Sequence, residues 1–195
     1  MSSSQSHWTC FAMDQTLSAY PAPKNNIYGI DVTELGYGAF RNCVNLTSID
    51  LGDTINYIYI GTDSDCLYPG LTSIKVSDKN ATYKALDGNL YSKDGKTLIL
   101  YAAGKTETSF TVPEDVEVIN ECAFYNCSQL DSIILGNYIA HIEQNAFYGT
   151  GFYNNSSNWE NGILYLGKFL IEAKTDVSGN ISIKEGTELI ASYAF

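Results

Sequence analysis

The side chains able to move protons, attack carbonyls or hold metals are few in this chain and poorly spaced for such work. Its two histidines are His7 and His141. General acid–base catalysis needs a base within hydrogen-bond reach of the group it serves. His141 instead falls between Ile139 and Ile142 in an apolar phrase, the setting of a residue that projects from a strand. No Gly-x-Ser-x-Gly elbow, His-Glu-x-x-His pair or phosphate-cradling glycine loop occurs. The five cysteines are Cys10, Cys43, Cys66, Cys122 and Cys127, and no histidine or second close pair completes a zinc tetrahedron around Cys122 and Cys127. Asp63, Asp65, Asp87 and Asp94 lie in glycine-containing turns but lack the alternating ligands and distant glutamate of a calcium loop; only Asp63 with Asp65 has suggestive spacing. The sequence therefore assigns no catalytic, cofactor-binding or metal-binding residue, and it reads as that of a non-enzyme.

Recognition is the chemistry left. The net charge of −11, with 11 Lys and Arg and no cluster of them, argues against nucleic acid and against anionic lipid, since both require a basic patch to displace counterions. No run approaches the apolar length of a membrane span. In Ser48-Ile49-Asp50-Leu51, period-two alternation with Ile49 and Leu51 inward sends Ser48 and Asp50 outward. The equivalent outward pairs are Ser73 with Lys75, Ser109 with Thr111, Ser132 with Ile134, and Ser182 with Lys184. Stacked strands would align them into a ladder of small polar groups with no aromatic anchor, a weak site by hot-spot standards. Hairpin tips and tyrosine-bearing loops are its rivals: of 15 tyrosines, Tyr125, Tyr148 and the pair Tyr57 and Tyr59 flank apolar positions, where their amphipathic rings suit protein or glycan recognition.

A ladder exists only if strands repeat. Apolar residues precede Phe124 by 14, 12, 8 and 5 positions at Phe110, Val112, Val116 and Ile119. The same offsets from Phe147 give Ile133, Leu135, Ile139 and Ile142, and from Phe195 they give Ile181, Ile183, Thr187 and Ile190. The interval from Phe124 to Phe147 is 23 residues. Self-similarity at that period marks a solenoid, in which no unit buries its own apolar face and neighbours do so by stacking.

Longer phrases surround the Ala-Phe pairs. Ala39-Phe40-Arg41-Asn42-Cys43 with Leu46, Ile49 and Leu51 is answered by Ala123-Phe124-Tyr125-Asn126-Cys127 with Leu130, Ile133 and Leu135. Over roughly residues 30 to 195 the chain resembles the BspA-like (Treponema pallidum type) leucine-rich repeats. One copy departs from the pattern: Thr62-Asp63-Ser64-Asp65 replaces the Ala-Phe turn. The resemblance implies a mainly β, right-handed leucine-rich-repeat solenoid with short turns or helical loops and inserted β-hairpins. It further implies an extracellular or cell-surface location and adhesion to a protein, such as a host or matrix protein, or to a glycan.

Two stretches interrupt the period and read as hairpins that project from the solenoid, at about residues 88–101 and 162–172. Asp94-Gly95 between apolar runs is a strong hairpin signal, and Gly167-Lys168 fits a tighter loop. The expected core comprises Phe40, Leu46, Ile49, Leu51, Ile74, Phe110, Val112, Ile119, Phe124, Leu130, Ile133, Leu135, Ile142, Phe147, Ile181 and Ile190. Cys43 and Cys127 share one repeat position and read as small buried hydrophobes, with a disulfide involving Cys66 or Cys122 as the alternative. Six Asn-x-Ser/Thr matches, at Asn45, Asn80, Asn126, Asn154, Asn155 and Asn180, would matter only in a eukaryotic secretory setting. Residues 1–25 read as a leader and N-terminal segment, and 26–195 as the repeat domain. The chain stops part-way through a repeat, so the expectation is that the array continues beyond it or that its open end self-associates.

Overall fold

The computed structural model describes residues 26–27, 30–36, 39–40, 43, 45–59 and 70–195. Residues 1–25, expected to be a leader and N-terminal segment and including His7 and Cys10, lie outside them, as do Asp63, Asp65 and Cys66. Short strands follow one another: β1 (Asn26–Ile27), β2 (Ile30–Asp31), β3 (Glu34–Leu35), β4 (Ser48–Asp50), β5 (Tyr57–Ile58), β6 (Ser73–Lys75), β7 (Tyr83–Leu86), β8 (Asn89–Ser92), β9 (Thr97–Leu100), β10 (Ser109–Thr111), β11 (Val118–Ile119), β12 (Ser132–Ile134), β13 (His141–Ile142), β14 (Trp159–Glu160), β15 (Ile163–Leu166), β16 (Phe169–Ala173) and β17 (Leu189–Ile190). One α-helical turn, α1 (Gly151–Asn154), and a 3-10 turn (Ser156–Asn158) lie between β13 and β14.

The described residues form a mainly β solenoid with almost no helix. Each turn carries two strand positions. At the first, β4 pairs in parallel with β6 and β10 with β12, matching Ile49 to Ile74 and Phe110 to Ile133. At the second, β3 pairs with β5 and β11 with β13, again in parallel. Parallel pairing requires a long crossover, and the repeat period supplies it.

Stacking places like residues on like. The Phe124 and Phe147 rings lie 5.4 Å apart and 12° from parallel, and both are fully buried. Tyr101, directly after β9, extends the ladder: its ring lies 5.5 Å from Phe124, and its N–H donates to Ala123 O at 2.8 Å just as Phe124 N–H donates to Ala146 O at 2.8 Å. The turn before each Ala-Phe pair needs a left-handed residue, which Cys122, Asn145 and Tyr193 supply at φ of 56°, 57° and 58°. Asn adopts that region readily, whereas Cys and Tyr do so under strain.

Both expected hairpins form, but neither projects from the solenoid. β9 pairs in parallel with β11 and β16 with β17, so each hairpin is built into a sheet. The reason is that their strands are apolar on both sides: Leu164 and Leu166 join the main core while Ile163 and Leu170 form a second cluster. Each also carries a third strand, β7 or β14, that the reading above leaves out. It enters through Asp87-Gly88 and Asn161-Gly162, where both residues have positive φ, the geometry of a two-residue primed turn.

Of the expected core, Leu51, Ile74, Val112, Ile119, Phe124, Leu130, Ile133, Ile142 and Phe147 are buried. Phe40, Leu46, Ile49, Phe110 and Leu135 are half-buried. Ile181 and Ile190 are not core: they are 38% and 47% exposed. Residues 181–184 form no strand, and no strand of the described residues pairs with the outer edge of β17. Cys43 is buried as expected, but it is disulfide-bonded rather than a free small hydrophobe. Cys127 keeps a buried thiol whose pKa burial pushes up to about 12.

Candidate functional site

The outward ladder is real in register but not continuous. Ser48 faces Ser73 and Asp50 faces Lys75 on the β4·β6 pair; Ser109 faces Ser132 and Thr111 faces Ile134 on the β10·β12 pair. Ser73 is half-buried, whereas Ser48, Asp50, Lys75, Ser132 and Ile134 are exposed. These are two separate sheets. The first hairpin divides them: Gly88 O accepts the Ile74 N–H at 2.8 Å and so occupies the outer edge of β6. Ser182 and Lys184 are exposed but off the ladder, because Lys184 is held by the second hairpin. Its Nζ lies 2.9 Å from Glu160 Oε1, and its N–H donates to the Tyr165 hydroxyl at 3.2 Å.

A second surface is aromatic. Tyr125 and Tyr148 each follow an Ala-Phe pair, so the repeat that stacks Phe124 on Phe147 inside also stacks these two outside, 5.2 Å apart and 20° from parallel. Tyr153 continues the row at 5.1 Å from Tyr148, tilted by 51°, and Trp159 closes it at 5.2 Å, edge-on to Tyr153. Tyr148 is 42% exposed and the other three are half-buried.

The inserted stretch between β13 and β15 positions the far half of the row. Thr150 caps α1 by accepting the Tyr153 N–H at 3.0 Å, and Phe152 anchors the turn in the core. Asn158 Nδ2 donates to Phe152 O at 2.8 Å, and Trp159 Nε1 donates to Tyr153 O at 2.8 Å. The Tyr153 hydroxyl donates to Glu172 Oε1 at 2.8 Å; burial, with that carboxylate beside it, raises its pKa. Lys174 Nζ lies 5.1 Å from the Trp159 ring centre.

Sequence reasoning singled out Tyr125 and Tyr148 but missed Tyr153, Trp159, Glu172 and Lys174. The insertion breaks the period, so no offset flags them; the available signal was the concentration of aromatics in Phe152-Tyr153 and Trp159. Tyr57 and Tyr59 are exposed. Asn80, formally a glycosylation match, is buried instead. Its Nδ2 donates to Gly52 O and Ile55 O, and its Oδ1 accepts from the Thr82 and Tyr83 N–H groups, which ties two repeats together.

Among the described residues, no three His, Cys, Asp or Glu side chains gather as a metal-holding group, and His141 is exposed on β13. No helix of the described residues is long and apolar enough to cross a membrane.

Parallel two-strand turns, a stacked Phe ladder and a 23-residue period define a leucine-rich-repeat solenoid. The chain belongs to the BspA type leucine-rich repeat region family, whose model matches residues 10–86 and 101–195 in 6 copies. Its fold is similar to that of a leucine-rich repeat protein from Eubacterium ventriosum, with a TM-score of 0.56 and 22% identity over 82% of this chain and 35% of that one. It is also similar to the pneumococcal vaccine antigen PcpA, with a TM-score of 0.56 and 24% identity over 63% of this chain and 30% of that one. The chain thus spans about a third of the length of these solved structures. No curated protein matches it. It is a repeat-protein module, of a family and fold that are generally non-enzymatic.

Proposed function

We propose that this chain is a non-enzymatic protein-binding module of a cell-surface or secreted protein, with adhesion to an extracellular or matrix protein as its role. The observation that carries this reading is the row Tyr125, Tyr148, Tyr153 and Trp159. It places four large amphipathic rings side by side at a partly exposed surface, the residue types that dominate interface hot spots. A vaccine antigen among the similar structures supports display outside the cell. The polar ladder of Ser48, Asp50, Ser73, Lys75, Ser132 and Ile134, with Ser182 and Lys184 beside the second hairpin, is a weaker contact surface. It offers small side chains that are divided between two sheets.

The rival reading is a structural spacer that displays a neighbouring domain. Pull-down from extracellular matrix and serum with the immobilised chain decides between them. A binding module retains a defined protein that a Tyr148→Ala variant retains less well. Retention no better than on a blank matrix would leave the spacer.

A further inference from the structure

The aromatic row is not a plain apolar strip, and its polar edge says what it can hold. The Tyr148 and Tyr153 rings lie 5.1 Å apart and 51° from parallel, so their faces diverge to one side as a wedge. The Glu172 carboxylate stands beside this pair, at the Tyr153 hydroxyl. Oε1 is occupied by the Tyr153 hydroxyl at 2.8 Å, while Oε2 has no hydrogen-bond partner among the described residues. The chain already seats cations on such rings: Lys105 over Tyr101 at 5.3 Å, Lys168 over Phe169 at 5.6 Å, Lys184 over Tyr165 at 5.5 Å and Lys174 over Trp159 at 5.1 Å. With 22 acidic against 11 basic residues, the surrounding field favours a cationic visitor.

We infer that the Tyr148, Tyr153 and Glu172 wedge is the docking point for an arginine side chain of a basic protein segment. A guanidinium is flat enough to stack on a ring face and forked enough to bond a carboxylate, and it sheds water more readily than an ammonium. Lys174, on the neighbouring ring, competes with it. This deepens the proposed protein-binding role and rests on it, since a spacer has no use for such a wedge.

The probe is a synthetic oligo-arginine peptide, titrated into the full chain by calorimetry at physiological salt, with the neutral citrulline peptide as its control. The arginine peptide should bind at least about tenfold more tightly than the citrulline one. Tyr148→Ala and Glu172→Gln should each weaken it at least about threefold, and Lys174→Ala should tighten it by a similar factor. Lys174 is exposed, so its replacement leaves the fold intact. Equal binding of the arginine peptide to all four proteins would show only diffuse attraction to an acidic surface and would overturn the inference. So would binding of a neutral glycan that Tyr148→Ala abolishes while the arginine peptide is ignored. A matrix protein retained equally by wild type, Glu172→Gln and Lys174→Ala would leave the proposed function standing and remove the wedge from it.

Discussion

The two hairpin units make the same connections and end with opposite burial. Lys96 pairs with Glu117 at 2.7 Å in the first, and Lys168 pairs with Glu188 at 2.5 Å in the second, 72 and 71 positions later. Glu117 N–H donates to Lys96 O and Glu188 N–H to Lys168 O, both at 2.8 Å; Asn120 donates to Leu98 O and Ala191 to Leu170 O. Yet Ile119 and Phe124 are fully buried, whereas their counterparts Ile190 and Phe195 are 47% and 65% exposed. Local pattern builds the unit, and the neighbouring repeat buries it. β13 and Phe147 cover the first unit, and no described strand covers the second.

The contrast is easiest to break at the ring ladder. Phe124→Ala should cost about 3–5 kcal/mol in denaturant melts, the usual range for a buried Phe, while Phe195→Ala should stay within about 0.5 kcal/mol. Similar losses at both positions would mean that burial is equal and the comparison false.

Alkaline pH should loosen the first unit. Burial raises Cys127 from 9.0 to about 12 and Tyr91 from 10.0 to about 12, and it raises Tyr101 as well. Each group is neutral when folded, so its stabilising contribution is complete below its ordinary value and is lost as pH climbs towards the raised one. Hydrogen exchange between pH 9 and 11, corrected for its intrinsic pH dependence, should show protection falling around β8, β9 and β11, and less steeply in Cys127→Ala. A flat profile there would contradict the assigned burial.

The left-handed turn position sharpens the comparison further. Tyr193→Gly should raise stability by about 0.5–1 kcal/mol, because Tyr193 is 80% exposed and its ring contributes little against the strain of φ 58°. The same substitution at Cys122 should lower stability, since it empties a fully buried site. Thermal melts of the two variants that moved the same way would show that backbone strain alone governs both turns.

The smallest effect is expected at the equivalent ion pairs. Lys96→Ala and Lys168→Ala should each cost about 0–1 kcal/mol, shrinking with added salt, because Lys96, Glu117 and Glu188 are substantially solvent-exposed and only Lys168 is half-buried. A loss well above that from either variant would mean that the pair anchors its hairpin rather than decorating it.

Period, strand alternation and hairpin positions were legible from residue offsets alone. Phe110, Ile119, Phe124 and Ile133 each sit where a repeat must place an inward side chain, and Asp94-Gly95 turns the chain back because its Gly95 adopts φ 83°. The ladder register, Ser48 on Ser73 and Ser109 on Ser132, follows from the same spacing. Only the tertiary structure decided which copies are covered. Ile181 and Ile190 carry the same pattern as Ile133 and Ile142, but burial depends on a neighbour's surface, which a residue's own offset does not encode. It also decided that the hairpins lie within sheets, splitting the ladder, because edge strands take whichever partner satisfies their backbone groups. The aromatic row came the same way: Tyr125 and Tyr148 obey the period, but Tyr153, Trp159 and Glu172 reach them only through an insertion folded by Thr150, Phe152 and Asn158. Periodic contacts are written in spacing, while contacts between an insertion and a repeat exist only once both have packed.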